Sequence, residues 1–226
     1  RVAGTELLSK NIVLLYINII IAVVLILSAA GLTIWYEEPV SSYNYIIAID
    51  SSKSMGTTDF KPNRLEVAKK TAIDFVRNLP RDTTVGVISF SGNSFIEQMP
   101  TKEIDKVINA IEGIDLKIIG GTDIGEAIIS GTNLLATLED IRGKSIILLT
   151  DGQINIGPEL DEIINYAKNK KVTIYTIGLG TKEGGKFIEG GFSKIDEDSL
   201  KALAFNTDGK YYLANNTKAI EDAYLD

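Results

Sequence analysis

Short apolar runs alternate along the chain with segments whose apolar residues recur every three or four positions. The first run, YNYIIAID (residues 43–50), has the continuous hydrophobicity typical of a buried strand. The next segment, residues 63–80, places its apolar residues on one helical face, with Asn63 and Glu66 at its start and Pro80 at its end. Further strands are predicted at TTVGVISF, SFIEQM, KSIILLT, KVTIYTIGLG and GKYYLA. Further helices are predicted over about residues 102–112, 123–138, 158–170 and 196–206, and from Thr217 onward.

This alternation of strands and helices predicts the fold class. It is typical of a doubly wound α/β protein, in which a mainly parallel sheet carries helices on both faces. The strands TTVGVISF and SFIEQM are separated only by SGN, which is short enough for a hairpin, so one strand should run antiparallel. Ligands of such sheets bind beyond the carboxyl ends of the strands. Functional residues are therefore expected where strands end.

The segment before the first strand has a different character. Residues 11–36 contain no charged residue, and about 20 apolar residues suffice to cross a bilayer as a helix. Trp35 and Tyr36 stand where an interfacial aromatic anchor is expected. We expect a transmembrane helix within residues 1–38 and a separate domain over residues 39–226.

Two alternatives to the membrane span are a cleaved signal peptide and a buried helix of a soluble core. Ser28 and Ala30 would suit a cleavage site, but the apolar run exceeds the roughly 7 to 15 residues usual for a signal peptide.

Arg1 and Lys10 precede the span, so the positive-inside rule favours a cytoplasmic N-terminus. The expected protein crosses the cell membrane once and carries its domain on the outer face.

Composition removes several classes of function. The 226 residues include 30 acids and 23 bases, and a net charge of -7 argues against nucleic acid as a partner. The chain has no cysteine and no histidine, which excludes disulfides, thiol nucleophiles, Ser-His-Asp triads and zinc sites of the usual kind. Any chemistry must use oxygen atoms and lysines.

Oxygen-bearing side chains stand at the ends of the predicted strands. Asp50 ends the first strand and is followed by Ser52 and Ser54, whose alternate spacing in an extended turn would point both hydroxyls the same way. Asp151 ends the strand KSIILLT, and Thr122 lies in a glycine-rich loop before a helix. Two carboxylates and three hydroxyls form a hard oxygen site suited to Mg²⁺ or Mn²⁺. Taken singly, each pattern also fits a turn or a helix cap.

The combination resembles a known family, the von Willebrand factor A domains and their metal-ion-dependent adhesion site. The family's D-x-S-x-S pattern corresponds to residues 50–54, its threonine to Thr122 and its second aspartate to Asp151 within Thr150-Asp151-Gly152. The resemblance covers about residues 44–225 and implies that Asp50, Ser52, Ser54, Thr122 and Asp151 coordinate the metal. More narrowly, DFKPNRLEVAKK and the apolar segment before the domain resemble Bat-type aerotolerance membrane proteins of prokaryotes.

The resemblance implies a protein-binding module and not an enzyme. An Asp or Glu side chain of a protein partner would complete the coordination of the metal. The alternative is a Mg²⁺-dependent phosphatase with Asp50 as its nucleophile, but such enzymes use a second acid where this chain has Ser52. Residues 178–185, GLGTKEGG, are expected to form a flexible surface loop, and residues 181–194 could instead form part of a rim for the partner.

Overall fold

The computed structural model describes residues 3–29, 43–117, 120–139, 142–154, 156–186 and 191–214. The chain separates into two compact units, residues 1–38 and residues 39–226. The first unit contains helix α1 (Ala3–Ala29), in which large apolar side chains between Ile12 and Leu27 are exposed. No helix in the described part of the chain combines the length and apolarity needed to cross a membrane. This finding differs from the membrane helix expected over residues 11–36, of which residues 30–36 lie outside the described residues.

The second unit contains eight strands and five helices within its described residues. Its strands are β1 (Tyr43–Asp50), β2 (Val85–Phe90), β3 (Ser94–Thr101), β4 (Gly143–Thr150), β5 (Val172–Gly178), β6 (Gly185–Lys186), β7 (Phe192–Ser193) and β8 (Tyr211–Leu213). Its helices are α2 (Arg64–Asn78), α3 (Ile104–Glu112), α4 (Ile124–Ala136), α5 (Leu160–Asn169) and α6 (Glu197–Asn206). A 3₁₀ turn (Lys53–Gly56) follows β1.

Six of the strands form one sheet in the order β3-β2-β1-β4-β5-β8. All neighbours in it are parallel except β2 and β3, which form the expected antiparallel hairpin at the sheet edge. The fold class predicted for this unit is therefore confirmed as a mixed α/β fold with a mainly parallel sheet. The helix predicted from Thr217 lies outside the described residues.

The surface loop predicted over residues 178–185 leads from the end of β5 at Gly178 to the start of β6 at Gly185. Strands β6 and β7 pair antiparallel as a separate two-stranded ribbon. Gly184 has a positive φ of 74°, a conformation that costs glycine little, and it allows the chain to turn into the ribbon. Residues 187–190 lie outside the described residues, so the ribbon is described only by its two strands.

The sheet divides the interior into two hydrophobic cores. Ile47 and Ile49 of β1 pack in the core that contains the buried residues of α2 and α3. Ile46 and Ala48, which alternate with them, pack in the core that contains residues of α4, α5 and α6. This alternation follows from strand geometry, because successive side chains point to opposite faces. Both faces of β1 are covered, which explains its continuous hydrophobicity.

The pairing of β1 with β4 brings the two predicted aspartates to the same edge. The strands are parallel and in a register that pairs Ile49 with Leu149. Asp50 is therefore the next residue of one strand, and Thr150 and Asp151 are the next residues of the other. Their positions follow from where each apolar run stops.

Candidate metal centre

Asp50 lies at the carboxyl end of the central strand and is completely buried. Its Oδ1 accepts a hydrogen bond from the backbone N–H of Ser52 at 2.8 Å, and its Oδ2 accepts one from Thr150 Oγ1 at 2.6 Å. Burial, together with the nearby charge of Asp151, raises the pKa of Asp50 to about 7, although the hydrogen bonds from Ser52 and Thr150 act in the opposite direction. The site thus contains two carboxylates close enough to repel each other.

The two predicted serine ligands come together on the turn after β1. The hydroxyls of Ser52 and Ser54 lie 3.0 Å apart. The turn is a 3₁₀ turn, closed by a hydrogen bond from the Met55 N–H to the Ser52 carbonyl, and not the extended turn expected from alternate spacing. Tight coiling shortens the distance between residues two apart, so the hydroxyls still meet. In contrast, the Ser51 hydroxyl donates to the Phe90 carbonyl at 2.9 Å and ties β1 to β2.

Thr122 is buried in the loop before α4, with only 2% of its surface exposed. The alternative role considered for it, capping this helix, belongs to Asp123, whose side chain accepts from the Glu126 N–H at 2.8 Å. No described residue hydrogen-bonds to the Thr122 hydroxyl, which leaves that oxygen available as a ligand. A backbone hydrogen bond from Asp123 to the Ser91 carbonyl at 2.8 Å holds the loop against the end of β2.

The glycine before Thr122 is required by the shape of this loop. Gly121 has a positive φ of 93°. A Cβ atom at this position would lie 2.8 Å from Cδ1 of Ile156, whereas a Cβ atom at Gly120 would meet nothing within 4 Å. Any side chain at Gly121 would therefore be strained and crowded at once.

Asp151 is also completely buried, and its two carboxylate oxygens have different partners. Oδ2 accepts hydrogen bonds from Arg64 Nη1 at 3.0 Å and from Ser193 Oγ at 2.7 Å. Oδ1 accepts one from the backbone N–H of Gln153 at 3.2 Å. Oδ2 is thus held by two side chains, and Oδ1 by one backbone group.

Arg64 is a residue that the sequence analysis did not assign to the site. It is completely buried, and it forms ion pairs with Asp151 and, at 2.7 Å, with Asp59. Burial alone would raise the pKa of Asp59, but the hydrogen bonds and the charge of Arg64 outweigh it and lower that pKa. The sequence signal for the pair of Asp59 and Arg64 is the segment DFKPNR, in which these two residues are five positions apart. No sequence signal pointed to Ser193.

The structure thus assembles an oxygen-rich site at the carboxyl edge of the sheet. Asp50, Ser52 and Ser54 are joined there by hydrogen bonds, Asp151 lies near enough for its charge to act on Asp50, and the loop of Thr122 is attached at the neighbouring strand. Within the described ranges, no group of three or more Asp, Glu, His or Cys residues is placed to hold a metal ion. The site has only two carboxylates, and its remaining donors are hydroxyls. This donor set suits a hard divalent cation.

Comparison with known proteins shows which fold this domain resembles. Residues 45–153 match the model of the von Willebrand factor type A domain. This segment contains Asp50, Ser52, Ser54, Thr122 and Asp151. The match and the sheet order together define a von Willebrand factor A-like fold.

Three similar proteins extend this comparison. The structure of protein BatB from Bacteroides thetaiotaomicron is 29% identical, has a TM-score of 0.74 and covers 81% of this chain and 96% of its own. That of an aerotolerance-related membrane protein from Bacteroides fragilis is 25% identical, has a TM-score of 0.73 and covers 81% of this chain and 98% of its own. A UPF0353 protein of Nocardia farcinica is 28% identical, and the match covers 89% of this chain and 67% of the relative. The chain spans about two thirds of the length of the curated relatives it matches. It therefore resembles the Bat-type aerotolerance proteins.

Proposed function

We propose that this chain is a membrane-anchored interaction domain that binds a protein partner through a divalent cation, Mg²⁺ or Mn²⁺. The residues that would hold the cation are Asp50, Ser52, Ser54, Thr122 and Asp151. A bound cation would offer an open coordination position to an Asp or Glu carboxylate of the partner. Von Willebrand factor A domains often bind a divalent metal in this way.

The observation that carries this proposal is a pair of completely buried carboxylates, Asp50 and Asp151, at the edge of the sheet where hydroxyl groups also gather. Burial, together with the charge of Asp151, raises the pKa of Asp50, and the Thr122 hydroxyl has no hydrogen-bond partner among the described residues. Buried charges are normally paired with an opposite charge or coordinate a metal ion. A divalent cation would relieve the repulsion and use the free hydroxyl.

The contacts of Asp50 favour binding over catalysis. A phosphatase nucleophile needs a carboxylate oxygen that can reach the phosphorus atom. Both oxygens of Asp50 are already engaged, one by a backbone N–H and one by the Thr150 hydroxyl, in a place without solvent exposure. Turnover of phosphate esters that depends on Mg²⁺ and disappears in Asp50→Asn would refute this argument.

Membrane anchoring is part of the proposal. The apolar side chains of α1 between Ile12 and Leu27 are about half exposed or more, and residues 11–36 lack charge. The Bacteroides fragilis protein, which is similar over the domain, is a membrane protein. We place the chain in the cell membrane with the domain on the outer face, because basic residues precede the span.

Isothermal titration of the full chain in detergent with Mg²⁺ and Mn²⁺ tests the centre. Ser52→Ala should weaken binding, and Ser51→Ala is its matched control because the Ser51 hydroxyl is committed to Phe90. Absence of binding by the wild type at millimolar cation, or equal loss in both variants, would refute the assignment.

The partner is tested by metal-dependent capture from membranes. EDTA should release the complex and Mg²⁺ should restore it. Thr122→Ala should weaken the complex more than it lowers the unfolding midpoint, because the hydroxyl has no structural partner. A complex that is indifferent to EDTA would mean that the partner docks elsewhere.

A further inference from the structure

Arg64 saturates its hydrogen-bonding capacity inside the protein. A guanidinium group has five N–H donors, and all five are used here. Nε and Nη2 bind the two carboxylate oxygens of Asp59 at 2.9 and 2.7 Å. Nη1 binds Asp151 Oδ2 at 3.0 Å and Ser193 Oγ at 2.7 Å, and Nη2 also binds the Ser193 carbonyl at 3.3 Å. Such a group is fixed in position and orientation.

This network makes the two oxygens of Asp151 inequivalent. Arg64 Nη1, Ser193 Oγ and Asp151 Oδ2 form a closed triangle of hydrogen bonds, since the serine hydroxyl donates to the carboxylate while it accepts from the guanidinium. Oδ2 is therefore held on the side of Arg64. Oδ1, which has only a backbone N–H at 3.2 Å, is the oxygen left for a further ligand.

The same network attaches the β6–β7 ribbon to the centre. Ser193 lies on β7, and its hydroxyl and its carbonyl both bind Arg64. The chain entering the ribbon passes so close that a Cβ atom at Gly180 would lie 3.2 Å from Cζ of Arg64. The ribbon and the Asp151 carboxylate are thus linked through the side chain of Arg64.

We propose that Arg64 is a positioning residue of the cation centre, which orients Asp151 so that Oδ1 faces the cation and links this orientation to the ribbon through Ser193. The inference rests on the proposed function, because it assigns a role to Arg64 at that site. A purely structural clamp would stabilise the fold but would leave the affinity and geometry of the bound cation unchanged.

The test is a titration of the full chain in detergent with Mn²⁺, followed by electron paramagnetic resonance of the bound ion. Arg64→Lys keeps the charge but removes the bidentate geometry, and Ser193→Ala keeps Arg64 but removes the bridging hydroxyl. Affinity should fall about tenfold in Arg64→Lys and less in Ser193→Ala, as is typical when a group that orients a ligand is lost. The zero-field splitting of bound Mn²⁺ should change in both. Arg142→Lys is the matched control, because Arg142 binds Asp82 at 2.6 Å in a separate ion pair.

The outcomes distinguish this inference from the function on which it rests. If wild type binds Mn²⁺ and both variants bind with unchanged affinity and spectrum, while their unfolding midpoints in EDTA fall, Arg64 is only a structural clamp and the inference is overturned. If wild type does not bind Mn²⁺, the proposed function fails and the inference fails with it. If Arg64→Lys does not fold, the Mn²⁺ affinity and the electron paramagnetic resonance spectrum of Ser193→Ala decide between a positioning residue and a structural clamp.

Discussion

The strength of the hydrogen bond between Thr150 and Asp50 tests whether the Asp50 side chain is ionised. Thr150→Val removes the hydroxyl but nearly preserves the shape of the side chain. The change deletes the 2.6 Å bond to Asp50 Oδ2 and also leaves the backbone N–H of Gly152 without its acceptor at 3.1 Å. Both contacts are buried, so water does not replace them readily.

The magnitude follows from these two losses. A hydrogen bond to a charged group contributes about 1.5–3 kcal/mol, and a buried donor left without a partner costs about 1–3 kcal/mol. Since local relaxation makes the two losses less than additive, we expect the free energy of unfolding to fall by about 3 kcal/mol. The matched control is Thr176→Val, because the Thr176 hydroxyl is equally buried but donates to a neutral carbonyl, that of Leu200, at 3.0 Å. That change should cost about 1 kcal/mol.

Urea unfolding of the full chain in detergent, followed by circular dichroism in EDTA, measures both values. At pH 8 Asp50 is mainly ionised, since its pKa is raised to about 7, and the difference between the two variants should be largest. At pH 5.5 the carboxyl is mainly protonated and the difference should shrink. Equal destabilisation of Thr150→Val and Thr176→Val at pH 8 would show that Asp50 gains nothing from the charge-assisted bond.

Three further predictions concern pH, the glycine loop and the membrane. The pKa of Asp50 is raised from its ordinary 3.8 to about 7 in the folded protein. In EDTA, the stability that Asp50 contributes should therefore be lost as pH rises between these two values. Asp50→Asn should flatten this decrease in the free energy of unfolding. For the same reason, Mg²⁺ should raise the melting temperature more at pH 8 than at pH 5.5, and an equal rise would contradict proton competition at Asp50. Gly121→Ala should lower the free energy of unfolding by about 1–3 kcal/mol and weaken Mg²⁺ binding, whereas Gly120→Ala should do neither. Chemical unfolding measures the first effect, and titration calorimetry measures the second. The intact chain should remain with membranes after a carbonate wash, and protease added to right-side-out cells should cut beyond Glu37; protection of that region would reverse the proposed orientation.

The fold could be predicted because its signals are local. The apolar run ending at Asp50 and the amphipathic segment ending at Pro80 each define their element within a few residues, and the short SGN link specifies a hairpin without reference to the rest of the chain. The meeting of Asp50 and Asp151 was also predictable, since parallel strands end at the same edge of a sheet. Their separation along the chain did not matter because topology alone brings them together.

The remaining parts of the site depend on contacts that no local pattern encodes. Ser193 binds Arg64 across 129 positions, and it does so only because residues 181–194 contain a ribbon that packs on the domain. The 3₁₀ turn that holds Ser52 and Ser54 is likewise set by how the chain leaves β1, and both a coiled and an extended turn satisfy the same spacing. Such features follow from tertiary packing, which overrides the local preference of short segments.

The charges of the assembled site match the divalent cation that we propose for it. When Asp50 is ionised, the two carboxylates of the site lie close to one guanidinium and to the neighbouring carboxylate of Asp59, because Asp59 accompanies Arg64 on the side opposite Asp151. Their net charge is -2. If Arg64 paired with Asp151 alone, the site would carry a single negative charge and would balance a monovalent ion. Since Asp59 takes part of the arginine's charge, a divalent cation would bring the centre to neutrality. In the proposed function, an incoming Asp or Glu carboxylate would then meet an electrophilic ion without net repulsion from the ligands around it.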